Sequence, residues 1–413
     1  MTFPQHQVHH GSLGEEAEPP THRLERELLL RCARTVIDAE TARRIRILLE
    51  QDIDWPYLIQ TATKHQVAPL LGFNLCLMFA EACPIAVLDQ LRSILRVNAA
   101  RNACLTQELI KLLNLFEAHE IPVIPFKGPV LTSSVYGHVA LRWFVDLDIL
   151  VHKWDYHFRV RDLLVSHGWR LTADSGLERT FKDASDNIQV DVHSVLTHRQ
   201  IPFALHFSHA WKRCVEIPIC GKAVRTFGPS ELLIVLCVQL ARDMGAPRAP
   251  GLIKICDIAE LIQSRHGIDW KWVIREAGRL GALRMLYLGL RTAVDVLDVD
   301  LPRNVWEKTQ AFPQLPTLVT HVRERVLGGV DNTYSHPELL DGARWHSEIR
   351  ERRRDRDRVI RGFLYGVTPN RYDFSYVRLP RALFSLYYLV RPIRLIDKYG
   401  RKLIRSIHRK AQA

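Results

Sequence analysis

Two aspartates one residue apart carry the strongest chemical signal in this sequence. Asp146 and Asp148 lie in WFVDLDILV (143–151), where they alternate with Val145, Leu147 and Ile149. In an extended strand successive side chains leave on opposite faces, so both carboxylates leave on one face. Two carboxylates side by side in otherwise apolar sequence repel one another unless a cation lies between them. Oxygen ligands of this kind suit Mg²⁺ or Mn²⁺, which also take up substrate phosphates. A second alternating segment, NIQVDVHSVL, follows about forty residues later and sets Gln189, Asp191 and His193 against Ile188, Val190 and Val192. Asp191 is therefore the expected third acid, and His193 on the same face is read either as lining an acceptor pocket or as a hydrogen-bonded structural histidine.

A paired-carboxylate site of this type suits in-line attack of a hydroxyl on the α-phosphorus of a nucleoside triphosphate, with pyrophosphate leaving. Cations stabilise the attacking and leaving oxygens, and a nearby carboxylate can take the nucleophile's proton. The segment before the D-x-D strand supplies anion-binding chemistry. Lys127 and Arg142 can neutralise triphosphate charge. Gly128 lets the backbone approach a phosphate, and Pro129, suited to the first position of a helix, starts a helix expected over Pro129–Tyr136.

The run KGPVLTSSVYGHVALRWFVDLDILV followed by DVH resembles a family of nucleotidyltransferases often found in polysaccharide and peptide-modification gene clusters, itself related to the DNA polymerase β-type nucleotidyltransferase superfamily. The resemblance extends over roughly residues 30–310, through ICDIAELI and IDWKWVIREAGRLGALRMLYLGLRTAVDVL, and RLPRALFSLYYLVRPIRLIDKYG near the C-terminus is of the same kind. It implies metal ligands at Asp146 and Asp148, a third acid at Asp191, and nucleotide contacts from Lys127, Gly128 and Arg142. The cofactor implied is Mg²⁺ or Mn²⁺, with an NTP, expected to be ATP, as substrate. The chain departs from the superfamily in carrying Gly128-Pro129 where Gly-Ser is usual, and in having Gln239 where family members often have His.

The elements that must position these residues can be read from periodicity. Residues 22–120 read as helices, with Ile85, Leu88, Leu91 and Leu95, then Leu105, Leu109, Leu112 and Leu115, at three- and four-residue spacing, and with a break expected near Asn98. IPVIPFK (121–127) reads as a short strand, 154–167 as one amphipathic helix closed by His167-Gly168, and LERTFKD as a strand. From Ser230 the chain is helical again, with Pro229-Ser230 expected to cap PSELLIVLCVQLARD. Five segments result: a disordered lead-in (1–21), an N-terminal helical region (22–120), a nucleotidyltransferase core (121–226), a C-terminal helical region (227–330) and a basic, partly amphipathic tail (331–413). The fold class is α+β, a small mixed sheet flanked by helical regions.

Composition narrows the partners. The 413 residues carry a formal net charge of +12 and are 47% hydrophobic, ordinary for a globular chain with a basic bias toward anionic partners. No Walker or G-x-G-x-x-G loop occurs, and ERRRDRDR, with its interleaved acids, reads as a solvated helix face and gives no strong nucleic-acid signal. The eight cysteines form no C-x-x-C pair and read as reduced packing residues, with no zinc site. With no signal peptide and no apolar run of about 18 residues, a cytoplasmic location is expected, with peripheral membrane contact through 376–413. The reading is transfer of an NMP to an unidentified acceptor: a small molecule, peptide or protein. Two alternatives stand beside it: an inactive member that binds nucleotide or a partner, and a membrane-surface scaffold in a glycan assembly system.

Overall fold

A computed structural model describes residues 22–197, 203, 205–246, 249–264, 267–328 and 339–359, and positions 376–377, 379–380, 383, 386–391 and 393–394 beyond them. The expected lead-in (1–21) and most of the expected tail lie outside the described residues. The chain begins with four helices: α1 (Arg23–Cys32), α2 (Ala39–Leu49), α3 (Trp55–Lys64) and α4 (Ala68–Met78). Asp38 and Asp54 cap α2 and α3, accepting from the N–H of Thr41 and Tyr57. A long helix, α5 (Ile85–Ala118), then leads to the sheet. It runs unbroken through Asn98, contrary to the expected break. Asn98 and Asn102 are buried on the helix flank, and their amides bind carbonyls of Val139, Ala140 and Arg142. The asparagines serve tertiary contacts instead of interrupting the helix.

The sheet contains β1 (Val123–Pro125), β2 (Asp146–Val151), β3 (Arg170–Asp174), β4 (Glu178–Lys182) and β5 (Gln189–His193), in the order β1-β2-β5-β4-β3. It is mixed: β2 and β5 run parallel, and the other neighbours pair antiparallel. Between β1 and β2 lies α6 (Pro129–Leu131), continued by one π-helical turn over Thr132–Tyr136, instead of a regular helix. Between β2 and β3 the expected single helix is two, α7 (Lys153–Phe158) and α8 (Val160–Ser166). The break is at Arg159, which leaves helical geometry and whose guanidinium binds Asp155 and the carbonyls of His119 and Glu120. After α9 (Phe207–Trp211), a two-stranded hairpin of β6 (Val215–Ile219) and β7 (Lys222–Thr226) precedes the C-terminal helices.

Those helices are α10 (Pro229–Asp243), α11 (Ile253–Gln263), α12 (Trp270–Leu280), α13 (Leu283–Leu297), α14 (Arg303–Gln310), α15 (Leu315–Leu327) and α16 (Leu339–Glu348). Gly228, not Ser230, is the α10 cap residue; Ser230 lies inside the helix, and its Oγ accepts the N–H of Asp269. One continuous apolar cluster joins α1–α4 to α10–α15, and a second lies under the sheet, built from α5, α8 and the residues of β2 and β5 that alternate with the acids. The fold is thus α+β. All eight cysteines are free thiols, with Cys32, Cys83, Cys237 and Cys256 buried and Cys104 and Cys220 exposed. Among the described residues no helix is long and apolar enough to cross a membrane.

Candidate functional site

The alternation of β2 and β5 decides where the acids go. Leu147, Ile149, Val151, Val190 and Val192 are all but fully buried in the cluster beneath the sheet. Asp146 and Asp148, with Gln189, Asp191 and His193, therefore leave on the other face. The parallel register sets Asp148 directly beside Asp191. The three expected acids share one sheet face, the face that also carries Leu150 into the apolar cluster of the helical regions.

Asp148 is the most constrained of the three. Its Oδ1 lies 2.9 Å from His193 Nε2 and its Oδ2 3.4 Å from Lys127 Nζ. His193 is oriented in turn by Glu178, whose Oε2 is 3.7 Å from Nδ1, and by the Phe126 ring, 5.5 Å away between centroids. Burial alone would raise the Asp148 carboxyl, but Lys127 and the His193 hydrogen bond outweigh it and hold the group well below the usual carboxylate range. At Asp146 the charges of Lys127 and Lys254 do not offset the opposing effects. Burial, and then the charge of Asp148, push it up to about 6. Asp191 is also raised, mainly by burial, with Thr180 and Gln189 tempering the rise. Gln189 donates to Asp191 Oδ2 at 3.0 Å, while Oδ1 is buried with no hydrogen-bond partner among the described residues.

Arg142 is bound within the protein, and the charge of Asp146 also favours its ionised form. Its Nε and Nη2 lie 2.7 and 2.8 Å from the two carboxylate oxygens of Asp257 on α11, and the Tyr136 hydroxyl donates to the same carboxylate at 2.7 Å. Arg142 is 5% exposed and Asp257 1%. The guanidinium is a buried tie between the loop leading into β2 and the helical region. Gly128 has an internal explanation too. Its φ of +51° is one that L side chains rarely adopt, and an added Cβ would stand 3.2 Å from the Asp146 carbonyl and 3.4 Å from the Phe144 ring. The backbone that was expected to approach a phosphate is packed against the strand bearing the acids.

Three ionised residues near this face were not singled out from the sequence. Lys254 opens α11, and its Nζ lies 3.3 Å from Asp243 Oδ2 at the end of α10; Arg242 binds the other oxygen at 2.7 Å. The charge of Lys254 is felt by both Asp146 and Asp148, that of Arg242 by Asp148. A signal for Lys254 was present: Lys254, Asp257 and Glu260 fall at three-residue intervals in a helix that otherwise buries apolar residues.

Among the described residues, no group of three or more His, Cys, Asp or Glu side chains is placed to hold a metal ion unaided. Mg²⁺ commonly binds through one or two carboxylates together with substrate phosphates and water. The Asp146–Asp148 pair and the unpartnered Oδ1 of Asp191 fit that kind of shared site.

Comparison with known proteins adds the following. Residues 51–298 match a family model described as "Uncharacterised nucleotidyltransferase". No curated protein matches the chain. Among solved structures, an antigenic nucleotidyltransferase-like protein from Paracoccidioides brasiliensis is similar over 54% of this chain and 92% of its own, at 14% identity and a TM-score of 0.33.

Proposed function

The chain belongs to the uncharacterised nucleotidyltransferase family, and from that premise we propose that it transfers a nucleoside monophosphate from an NTP, ATP in the first instance, to an acceptor hydroxyl. The observation that carries this reading is the alignment of Asp148 with Asp191 on a face that also bears Asp146 and receives Lys127. The acceptor oxygen bonds to the α-phosphorus as the bond from that phosphorus to the β-phosphate oxygen breaks, and pyrophosphate leaves. A divalent cation, Mg²⁺ or Mn²⁺, would supply charge neutralisation at the phosphates, and Asp146 and Asp148 are the residues that would hold it. Asp191, raised by burial, accepts the proton of the attacking hydroxyl. Lys127 balances phosphate charge, with Gly128 at the turn below it. His193 orients Asp148 through its Nε2 and borders the acceptor side.

One observation favours the rival reading of an inactive nucleotide binder: each oxygen of Asp148 already faces a partner within the protein, His193 at Oδ1 and Lys127 at Oδ2. Pyrophosphate release from each NTP, with Mg²⁺ and a cell extract as the acceptor source, separates the two. Transfer predicts release that the Asp146→Asn, Asp148→Asn double variant abolishes while remaining folded. NTP binding without release from wild type would favour the binder.

A further inference from the structure

Through Asp257, α11 is tied to the loop before β2. Its last turn borders a different feature, an open cleft of about 860 Å³ that the proposed reaction leaves unused. The walls come from the segment after α1 (Arg34), the last turn of α11 (Ile262), the turn into α12 (Ile268 and Trp270) and the loop between α13 and α14 (Asp300 and Leu301). None of the acid-face residues lines it. Arg34, Asp300 and Leu301 also lie outside residues 51–298, the stretch that matches the family. The cleft is therefore a feature of this chain's flanking segments and not of the nucleotide site. Its size is that of small-molecule sites, which run to about 300–1,000 Å³.

Arg34 is the group in the cleft that most needs a partner. The segment bearing it is pinned on both sides. Asn74 Nδ2 donates to the carbonyls of Cys32 and Arg34 at 2.9 and 2.8 Å, and Thr35 gives its N–H and its hydroxyl to Glu260. The Arg34 guanidinium, 6% exposed, is satisfied much less completely. Nη2 donates to the Leu297 carbonyl at 3.1 Å, and the C-terminal end of α13 offsets part of the charge there. Among the described residues, Nε is buried with no hydrogen-bond partner and no carboxylate lies within 4 Å of the group. A guanidinium has five N–H donors, and burying its charge without a counter-ion is costly.

The opposite charge stands at the open edge. Asp300 is exposed and has no cationic side chain within 4 Å among the described residues. Asp298, the other acid of that loop, is already held by Arg31 at 2.7 Å. The rest of the lining is largely apolar, with Ile262, Ile268, Trp270 and Leu301. A complementary ligand has a carboxylate for the buried cation, an apolar body, and an ammonium group for the exposed acid. The cleft is larger than one amino acid fills. We propose that it binds a short apolar peptide with free termini, the carboxylate on Arg34 and the ammonium group on Asp300. Binding is non-covalent and needs neither nucleotide nor metal.

Calorimetric titration of the full chain with tri-leucine, its C-terminal amide and its N-acetyl derivative tests this. Tri-leucine should bind. The amide should bind at least about tenfold more weakly, as for loss of a charge-assisted hydrogen bond. The acetyl derivative should bind about threefold more weakly, because an exposed ion pair contributes little. Arg34→Met should lower tri-leucine to the affinity of the amide. Should that variant fail to fold by circular dichroism, Asp300→Asn at its exposed position takes its place. It should remove the difference between tri-leucine and the acetyl derivative and keep the difference between tri-leucine and the amide. No binding of tri-leucine by wild type overturns the proposal, and so does equal affinity for the peptide and its amide. Displacement of the peptide by ATP with Mg²⁺ overturns it as well, by placing the peptide on the acid face. Tighter binding of leucine than of tri-leucine overturns the choice of a peptide and assigns the cleft to a free amino acid.

Discussion

Removing one partner of the Arg142–Asp257 pair tests what the structure makes of the loop before β2. Two charge-assisted hydrogen bonds of 2.7 and 2.8 Å join groups that are 5% and 1% exposed. Arg142→Ala leaves a carboxylate buried with the Tyr136 hydroxyl as its one remaining side-chain hydrogen bond among the described residues. Breaking a buried pair in this way costs about 3–5 kcal/mol, because an uncompensated charge stays behind. Asp257→Ala should cost a similar amount for the converse reason. The double variant, Arg142→Ala with Asp257→Ala, leaves no unpaired charge, and its residual cost is the Tyr136 hydroxyl that loses its acceptor, about 1–3 kcal/mol, with the volume that the two truncations leave empty. The single losses should therefore fail to add, and the double variant should be no less stable than either single one. Denaturant midpoints for the four proteins, read by tryptophan fluorescence, give the cycle. If Arg142→Ala unfolds within about 1 kcal/mol of wild type while pyrophosphate affinity falls tenfold, the structural tie is refuted, and Arg142 is the phosphate ligand that its place in the sequence suggests.

Three further outcomes are expected. A carboxyl raised from 3.8 to about 6 binds a proton more tightly in the folded state, so Asp146 weakens the metal-free fold as pH rises through that interval. Asp146→Asn should stabilise the protein at pH 7.5 by up to roughly 3 kcal/mol, and thermal melts at pH 4 should show no gain. Gly128→Ala forces a side chain into a backbone conformation reserved for glycine, against the Asp146 carbonyl; a loss of about 1–3 kcal/mol is expected in the same denaturation assay, and a neutral result would contradict the packing described. Asp191→Asn should lower pyrophosphate release by about 10²–10⁴-fold yet keep most NTP affinity. If activity is unchanged, the third acid must be sought elsewhere, first at Asp183 or Asp186.

What the sequence made legible was set by local periodicity. D-L-D-I-L-V and Q-V-D-V-H each have a two-residue alternation whose apolar half must be buried, and burying it sends the acids to one face whatever the rest of the chain does. β3 escaped notice because four of its five residues are exposed and no alternation marks it. The β6–β7 hairpin escaped because its two-residue turn is Cys220-Gly221, both at positive φ, and cysteine is not a residue that announces such a turn. Asn98 resembled a helix breaker, since its hydrogen bonds to the loop some forty residues away have no local signature.

The side chains around the acids show the same division more sharply. Lys127 is close in sequence to Asp148 and was found beside it, whereas Arg142 is closer still and was turned away by a carboxylate 115 residues on. Proximity along the chain favours contact only when no stronger partner competes, and a buried bidentate carboxylate is a stronger partner for a guanidinium than a solvated site. Asp257 lies on α11, so the packing of that helix against the loop before β2 decides which partner Arg142 takes.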